Sequence, residues 1–148
     1  MNSTIKLYTV GFSGKNAEEF FSLLKSRNIK RIIDIRISNT SQLAGYTKKD
    51  DLKYFLRVID QMDYVHMIEL APSEELFRRN RNKEYKKEEF EILLRQELKE
   101  RKIKDLLKRE ELEGACLLCS EKDPKECHRS IVARYLKEIY GDIEIEDI

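Results

Sequence analysis

Ala115–Cys119, which reads ACLLC, is the stretch that decides the fold. It is short and wholly apolar, and it follows Gly114, a residue that interrupts a helical pattern. A run of this kind is typical of a strand buried on both faces of a parallel sheet. Four further runs predict strands: 5–10 (IKLYTV), 31–35 (RIIDI), 64–68 (YVHMI) and, at an edge, 143–145.

Helical patterns separate these strands. Asn16 and Glu19 have capping-box spacing at the start of a first helix, and apolar residues at helical period predict helices around 52–59 and from Phe90 onward. Asp123 and Glu126, with Pro124 between them, predict the start of a last helix. Three shorter stretches are expected to be a loop at 38–47, a helix start at 72–74 and a solvated excursion or lid at 78–87.

Strands that alternate with helices predict right-handed crossovers and a mostly parallel sheet with helices on both faces. We therefore expect one α/β domain over residues 1–148, with a Rossmann-like or flavodoxin-like three-layer arrangement. A chain of this length buries a sufficient core without disulfide or metal crosslinks.

Composition argues against several classes of partner. Lys and Arg total 29 and Asp and Glu total 28, so the molecule as a whole has no field that attracts nucleic acid or a membrane surface. No apolar run reaches the roughly 20 residues that span a bilayer, and the first ten residues do not resemble a signal peptide. We expect a cytoplasmic protein that does not bind membranes.

The number of cysteines agrees with that location. Three cysteines are present, two of them near a histidine, which fits a reducing compartment and a site better than a disulfide framework. Charged residues make up 39% of the chain, a bias that resembles thermophile proteins rich in surface ion pairs.

Polar residues that could take part in catalysis or ligand binding follow the predicted strands. In open parallel sheets, ligands bind outside the carboxyl ends of the strands. Segments 11–14, 34–36 and 119–121 all emerge at that end, where the last helix also begins. We expect these distant segments to share one site.

Cys119, His128 and Glu121 are the candidate catalytic residues of this site, and Cys127 is a candidate ligand-binding residue beside them. A cysteine near a helix amino terminus ionises readily, and the thiolate is the nucleophile. Cys119 stands at the mouth of the expected site, whereas Cys127, four residues before Ile131 on the apolar side of the last helix, is better explained as a small core residue. His128 suits proton transfer, with Glu121 as its partner, or else a capping and packing role.

A second group of residues suits an anionic ligand. The turn containing Gly11 and Ser13, the residues Asp34 and Arg36, and Arg129 in the first turn of the last helix are the candidates. A structural ion pair is the simpler explanation of Asp34 and Arg36, because a buried carboxylate is costly unless paired. Arg129 is open to the same interpretation.

Sharper catalytic and cofactor motifs are missing. Lys125 stands where the cysteine phosphatase loop has arginine, and the sequence contains no nucleophile elbow, Walker loop or dinucleotide fingerprint. Cys119, Cys127 and His128 are three soft ligands without a Cys-x-x-Cys pair, which is weaker than established zinc patterns. We assign no metal and no cofactor from the sequence.

Three segments together resemble a known family. Residues 8–13 (YTVGFS), 34–36 (DIR) and 118–129, with its Cys-x-Glu and Cys-His-Arg elements, resemble in order the motifs of the uncharacterised family catalogued as domain of unknown function 488. The resemblance spans nearly the whole chain and implies a small α/β domain without an established reaction. Phe12 stands where the family often has histidine, and Ser38 where proline usually follows the Asp-x-Arg motif.

Two functional hypotheses remain, beside the interpretation that the polar rim is only a structural ion-pair network. The first is an enzyme that handles a small anionic or nucleotide-like ligand at the Cys/His/Arg site. The alternative is a nucleic-acid or protein binding module with a structural cysteine cluster. The contact surface of that module would contain Arg78, Arg79, Arg81, Lys83, Lys86 and Lys87.

Overall fold

The computed structural model describes residues 4–38, 45–121, 123 and 127–148. Its strands are β1 (Ile5–Gly11), β2 (Arg31–Asp34), β3 (Asp63–His66), β4 (Ala115–Cys119) and β5 (Ile143–Asp147). Its α-helices are α1 (Ala17–Ser26), α2 (Lys49–Asp60), α3 (Glu74–Arg81), α4 (Lys87–Glu100) and α5 (Arg129–Tyr140). Short 3-10 helices lie at Gly45–Thr47, Ile68–Leu70, Ile103–Asp105 and Arg109–Leu112.

The strands form one parallel sheet in the order β3-β2-β4-β1-β5. The predicted α/β class, with a parallel sheet between two helical layers, is confirmed. The order itself differs from both common doubly wound orders, because β4 lies between β1 and β2. In this register Gly11 pairs with Cys119, and Asp34 pairs with Leu118.

Alternate residues of the central strand β4 face two separate cores. Cys116 and Leu118 pack with α1 and α2 on one face of the sheet. Ala115, Leu117 and Cys119 pack with α3, α4 and α5 on the other. The apolar run therefore reflects burial on both sides, as the sequence predicts.

Local capping sets two of the helix starts. The Asn16 side chain accepts a hydrogen bond from the Glu19 amide at 2.8 Å, and the Ser73 hydroxyl accepts one from the Leu76 amide at 3.2 Å. Both helix starts follow from their sequences, because these side chains satisfy amides that have no partner within the helix.

Two other boundaries involve residues outside the described part of the chain. The described part of the last helix begins at Arg129, later than the expected start at Asp123, and residues 124–126 lie outside the described residues. Of the expected 38–47 loop, residues 39–44 also lie outside them, and Gly45–Thr47 form a 3-10 turn.

The stretch 78–87 is mostly exposed, as the prediction of a solvated excursion requires, but its two ends are helical. Helix α3 continues to Arg81, and α4 already begins at Lys87. Local contacts stabilise these charged turns: Arg79 pairs with Glu84 at 3.1 Å, and the Arg81 guanidinium lies over the Phe77 ring, 5.6 Å from its centroid. None of the helices in the described part of the chain has the length and apolar character needed to cross a membrane.

Candidate functional site

A cavity of about 630 Å³ opens at the carboxyl ends of β2 and β4. The chain leaves β2 towards the helical layer that contains α2 and leaves β4 towards the layer that contains α5. Neighbouring strands whose connections depart to opposite faces leave a crevice between them, which is where ligands bind in open α/β sheets. Five residues predicted from the sequence border this cavity: Arg36, Cys119, Glu121, Cys127 and His128.

A disulfide joins Cys119 to Cys127 at the wall of the cavity. Cys119 is the last residue of β4, and Cys127 lies two residues before α5, so the turn back into the helix brings their Cα atoms to 6.9 Å. Cys119 is 4% exposed and Cys127 is 7% exposed. The sequence predicts a site and not a disulfide here; that expectation is corrected, because Cys119 and Cys127 form a disulfide that lies at the cavity.

His128 lies beside this disulfide in a single tautomer. Its Nδ1 atom is 3.7 Å from Cys119 Sγ, and its Nε2 atom is 2.7 Å from the Ile35 carbonyl oxygen. Because a carbonyl only accepts, Nε2 carries the hydrogen and Nδ1 presents a lone pair to the sulfur. Burial lowers the pKa of His128 to about 4, so the imidazole is neutral at pH 7.

Asp34 and Arg36 form the buried ion pair that the sequence favours as the simpler explanation. Arg36 donates through Nε and Nη2 to the two carboxylate oxygens of Asp34, at 2.9 and 2.7 Å. The Tyr64 hydroxyl donates to the same carboxylate at 2.6 Å, and Arg36 Nη2 also donates to the Thr47 carbonyl at 2.7 Å. The guanidinium is thereby fixed at the edge of the cavity.

Two further residues hold the Arg36 segment in place. The Phe12 ring lies under the guanidinium, with its centroid 5.4 Å from Arg36 Cζ. His66, to which the sequence assigned no role, has its Nε2 2.6 Å from the Arg36 carbonyl oxygen. The aromatic residue at position 12 therefore contacts the Asp-x-Arg segment directly.

Gly11, Ser13 and Arg129 do not border the cavity but hold the loop that follows β4. Arg129 is 1% exposed, donates from Nε to the Thr9 hydroxyl at 3.2 Å and donates from Nη1 to the Glu121 carbonyl. The Ser13 amide donates to the Ser120 carbonyl at 3.0 Å. A Cβ on Gly11 would lie 1.7 Å from the Glu121 carbonyl oxygen, so glycine is needed for this approach.

Helices α3, α4 and α5 supply a wall of the cavity that sequence analysis missed. Arg134 donates two hydrogen bonds to the Glu91 carboxylate, at 3.0 and 2.9 Å, and Arg95 donates a third at 2.9 Å. These bonds, chiefly those from Arg134, lower the pKa of Glu91. The Glu91–Arg95 spacing was a visible signal of an ion pair, but nothing in the sequence indicates that α5 brings Arg134 to it.

Apolar side chains complete this wall. Phe77 comes from α3, Phe90 from α4 and Ile131 from α5, and all three border the cavity. A mostly apolar hollow with a few fixed polar groups is the usual character of a small-molecule site.

The third cysteine is separated from the site. Cys116 lies on the opposite face of β4, is fully buried and is a free thiol. Burial raises the pKa of this thiol, which keeps it protonated and unreactive. Thiol chemistry at the cavity therefore concerns Cys119 and Cys127.

The basic residues proposed for nucleic-acid binding lie among acidic and aromatic side chains. Arg79 lies against both Glu75 and Glu84, and its guanidinium is 5.1 Å from the Tyr85 ring centroid. These contacts favour a role in holding α3 to the start of α4. We therefore base the function on the cavity.

Comparison with known proteins identifies a family but no characterised relative. A family model described as "Domain of unknown function DUF488" matches residues 16–136. No curated protein and no solved structure matches the chain.

Proposed function

Because this chain belongs to the DUF488 family, whose description assigns no activity, we propose a function from the geometry of its own site. The protein is a thiol–disulfide oxidoreductase in which Cys119 and Cys127 exchange between a dithiol and a disulfide. Its substrate is a small anionic thiol or disulfide that enters the adjoining cavity.

One observation carries this proposal: the disulfide lies in the wall of a cavity large enough for a small molecule. A crosslink that only braced a core would not need an approach for a second reactant. Thiol–disulfide exchange does need one, because the attacking sulfur must reach the sulfur it attacks. The cavity supplies that approach.

The balanced reaction begins with the dithiol form. The Cys119 thiol releases its proton to solvent, and the resulting thiolate attacks one sulfur of a substrate disulfide. The substrate S–S bond breaks, a mixed disulfide forms, and the departing thiolate takes up a proton. Cys127 then attacks Cys119 Sγ, releases the second substrate thiol and forms the disulfide seen in the structure. Two electrons pass from the protein to the substrate, which becomes two thiols.

Basic side chains at the cavity support an anionic substrate. Arg36, Lys87 and Arg134 border it beside the carboxylates of Glu91 and Glu121, and the charges of Arg36 and Arg134 are offset by their pairs with Asp34 and Glu91. His128 adds no charge at neutral pH. The volume of about 630 Å³ lies within the range of small-molecule sites.

The first test counts thiols in the folded protein. The full chain is equilibrated in buffers of glutathione and glutathione disulfide, quenched with acid and alkylated, and the modified cysteines are identified by mass spectrometry. We expect Cys119 and Cys127 to titrate together as one two-electron couple while Cys116 stays unmodified until the protein unfolds. A disulfide that resists reduction until the chain unfolds would refute the proposal.

A second test addresses the substrate. Lys87→Gln removes one cation from the cavity, and the rate of disulfide reduction is compared for glutathione and for uncharged 2-mercaptoethanol. We expect a several-fold slower reaction with glutathione and an unchanged one with 2-mercaptoethanol. Lys99→Gln, on the last turn of the same helix α4 and outside the cavity lining, is the matched control. Equal slowing of both reagents would contradict an anionic substrate.

A further inference from the structure

We propose that the reduced form of this site binds one zinc ion through Cys119 Sγ, Cys127 Sγ and His128 Nδ1, with the fourth coordination position facing the cavity. The inference rests on the proposed function in one respect, namely that the disulfide can be reduced in the folded protein. It adds a metal-bound state to the dithiol form.

The three donor atoms lie close together, and one sulfur–nitrogen pair already has coordination spacing. One ligand atom from each of Cys119, Cys127 and His128 lies within 4.8 Å of the other two. A tetrahedral ion with zinc–sulfur and zinc–nitrogen bonds of about 2.3 and 2.05 Å holds a sulfur and a nitrogen ligand about 3.6 Å apart. The observed distance from Cys119 Sγ to His128 Nδ1 is 3.7 Å. The main adjustment is therefore the separation of the two sulfurs on reduction.

The hydrogen bond behind the imidazole is the one that a zinc-ligating histidine makes. Metal-bound histidines almost always donate their other ring N–H to a carboxylate, a carbonyl or water, which fixes the tautomer and the ring orientation. His128 donates from Nε2 to the Ile35 carbonyl at 2.7 Å, so Nδ1 is free of hydrogen and faces the sulfurs. The carbonyl belongs to Ile35, the residue that follows β2, whose amide donates to the Leu118 carbonyl of β4 at 3.1 Å.

The type and placement of the donors favour zinc with an open position. Two thiolates and an imidazole are soft or borderline ligands that suit zinc, and two thiolates balance its charge. All three residues border the cavity, so the fourth position faces the space where a substrate would enter. Three protein ligands with an open position is the pattern of catalytic rather than structural zinc sites.

The metal and the disulfide exclude each other. When a substrate disulfide oxidises the metal-bound dithiolate, the two cysteine sulfurs bond to each other, two electrons reduce the substrate, and two protons complete its two thiols. The zinc ion leaves with its charge unchanged. Oxidation and metal release are therefore one balanced event.

Cobalt titration tests the site. The full-length chain is reduced, freed of reductant without oxygen, and titrated with Co²⁺. We expect a thiolate-to-cobalt charge-transfer band and the visible bands of a tetrahedral complex, saturating at one ion per chain and abolished by one equivalent of Zn²⁺. Oxidised protein should show neither band. Reduced protein that gives no charge-transfer band would overturn the proposal.

Variants identify the ligands. His128→Ala should weaken Co²⁺ binding at least about 10–100-fold, the loss that even a second-shell change produces. Cys116→Ala, which alters the buried thiol on the other face of β4, is the matched control and should bind as the unaltered chain does. A band that persists with both Cys119→Ser and Cys127→Ser in place would place the ion elsewhere and overturn the assignment.

The thiol count separates the two proposals. If Cys119 and Cys127 are reduced in the folded chain but Co²⁺ gives no band, zinc binding is refuted while the redox function stands. If the disulfide resists reduction until the chain unfolds, both proposals fail together.

Discussion

The Nε2–H group of His128 donates a hydrogen bond to the Ile35 carbonyl at 2.7 Å and so ties the start of α5 to the end of β2. The Ile35 amide donates in turn to the Leu118 carbonyl at 3.1 Å. Both polar groups of one backbone residue thus connect β2 with the β4–α5 segment. The histidine is a structural link as well as a site residue.

His128→Ala should therefore lower the free energy of unfolding by about 1–3 kcal/mol, because it leaves a buried carbonyl without its donor. His66→Ala is the matched control, since His66 makes the same kind of bond to the Arg36 carbonyl from a half-buried position. Water can replace that donor, so its loss should be smaller. Urea unfolding measures both, and equal losses would contradict the argument.

Asp34→Ala should cost about 3–5 kcal/mol, because it leaves the buried Arg36 guanidinium without a counter-ion. Asp63→Ala removes the acid of an exposed pair with Arg31, in which the Asp63 side chain is 74% exposed and the separation is 3.6 Å. We expect less than about 1 kcal/mol there. Thermal or urea unfolding of the two variants provides the comparison, and similar losses would show that burial does not set the cost.

Gly11→Ala should destabilise the protein by at least about 1–3 kcal/mol, the usual cost of overpacking, since the added Cβ meets the Glu121 carbonyl. Because that carbonyl belongs to the loop after β4, we also expect altered reactivity of Cys119. Gly45→Ala has open space around the added atom and should change stability by less than about 0.5 kcal/mol. If Gly11→Ala unfolds at the same urea concentration as the parent, the close approach of residue 11 to the Glu121 carbonyl does not affect stability, and the prediction is wrong.

Glu91→Gln should reduce stability by about 0.5–1.5 kcal/mol at neutral pH, because the carboxylate accepts bonds from Arg134 and Arg95. The folded pKa of Glu91 lies below its ordinary value of 4.5, so its contribution is present above that pH and is lost as the pH falls through the folded pKa. Unfolding measured from pH 7 to pH 3 should show a constant difference down to about pH 4.5 and a shrinking one below. A difference in unfolding free energy between parent and variant that grows as the pH falls would contradict this expectation.

Local patterns predict the strands and the helix caps but not the walls of the cavity. The buried strand at Ala115–Cys119 and the Asn16 cap are set by residues close in sequence. Arg134 reaches Glu91 only because α4 and α5 pack on the same face of the sheet. Such contacts depend on tertiary packing, and no periodicity in the sequence encodes them.

The same limit explains the different positions of two candidate arginines. Arg36 follows the end of β2 and Arg129 begins α5 after β4, so the sequence predicts that both lie at the same end of the sheet. In the structure Arg36 borders the cavity, whereas Arg129 faces Thr9 on β1. Which side of β4 each faces follows from the insertion of β4 between β1 and β2, and single-sequence patterns do not specify strand order.

The pairing of β1 with β5 has a consequence for synthesis on the ribosome. Among the five strands of this sheet β1 is translated first and β5 last, yet they are neighbours from Ile5 with Ile143 to Thr9 with Asp147. Until β5 emerges, that edge of β1 has no strand to bond with, and an unpaired edge readily pairs with another chain. A nascent chain stalled before Ile143 should therefore be prone to aggregation, even though the other four strands have already been translated.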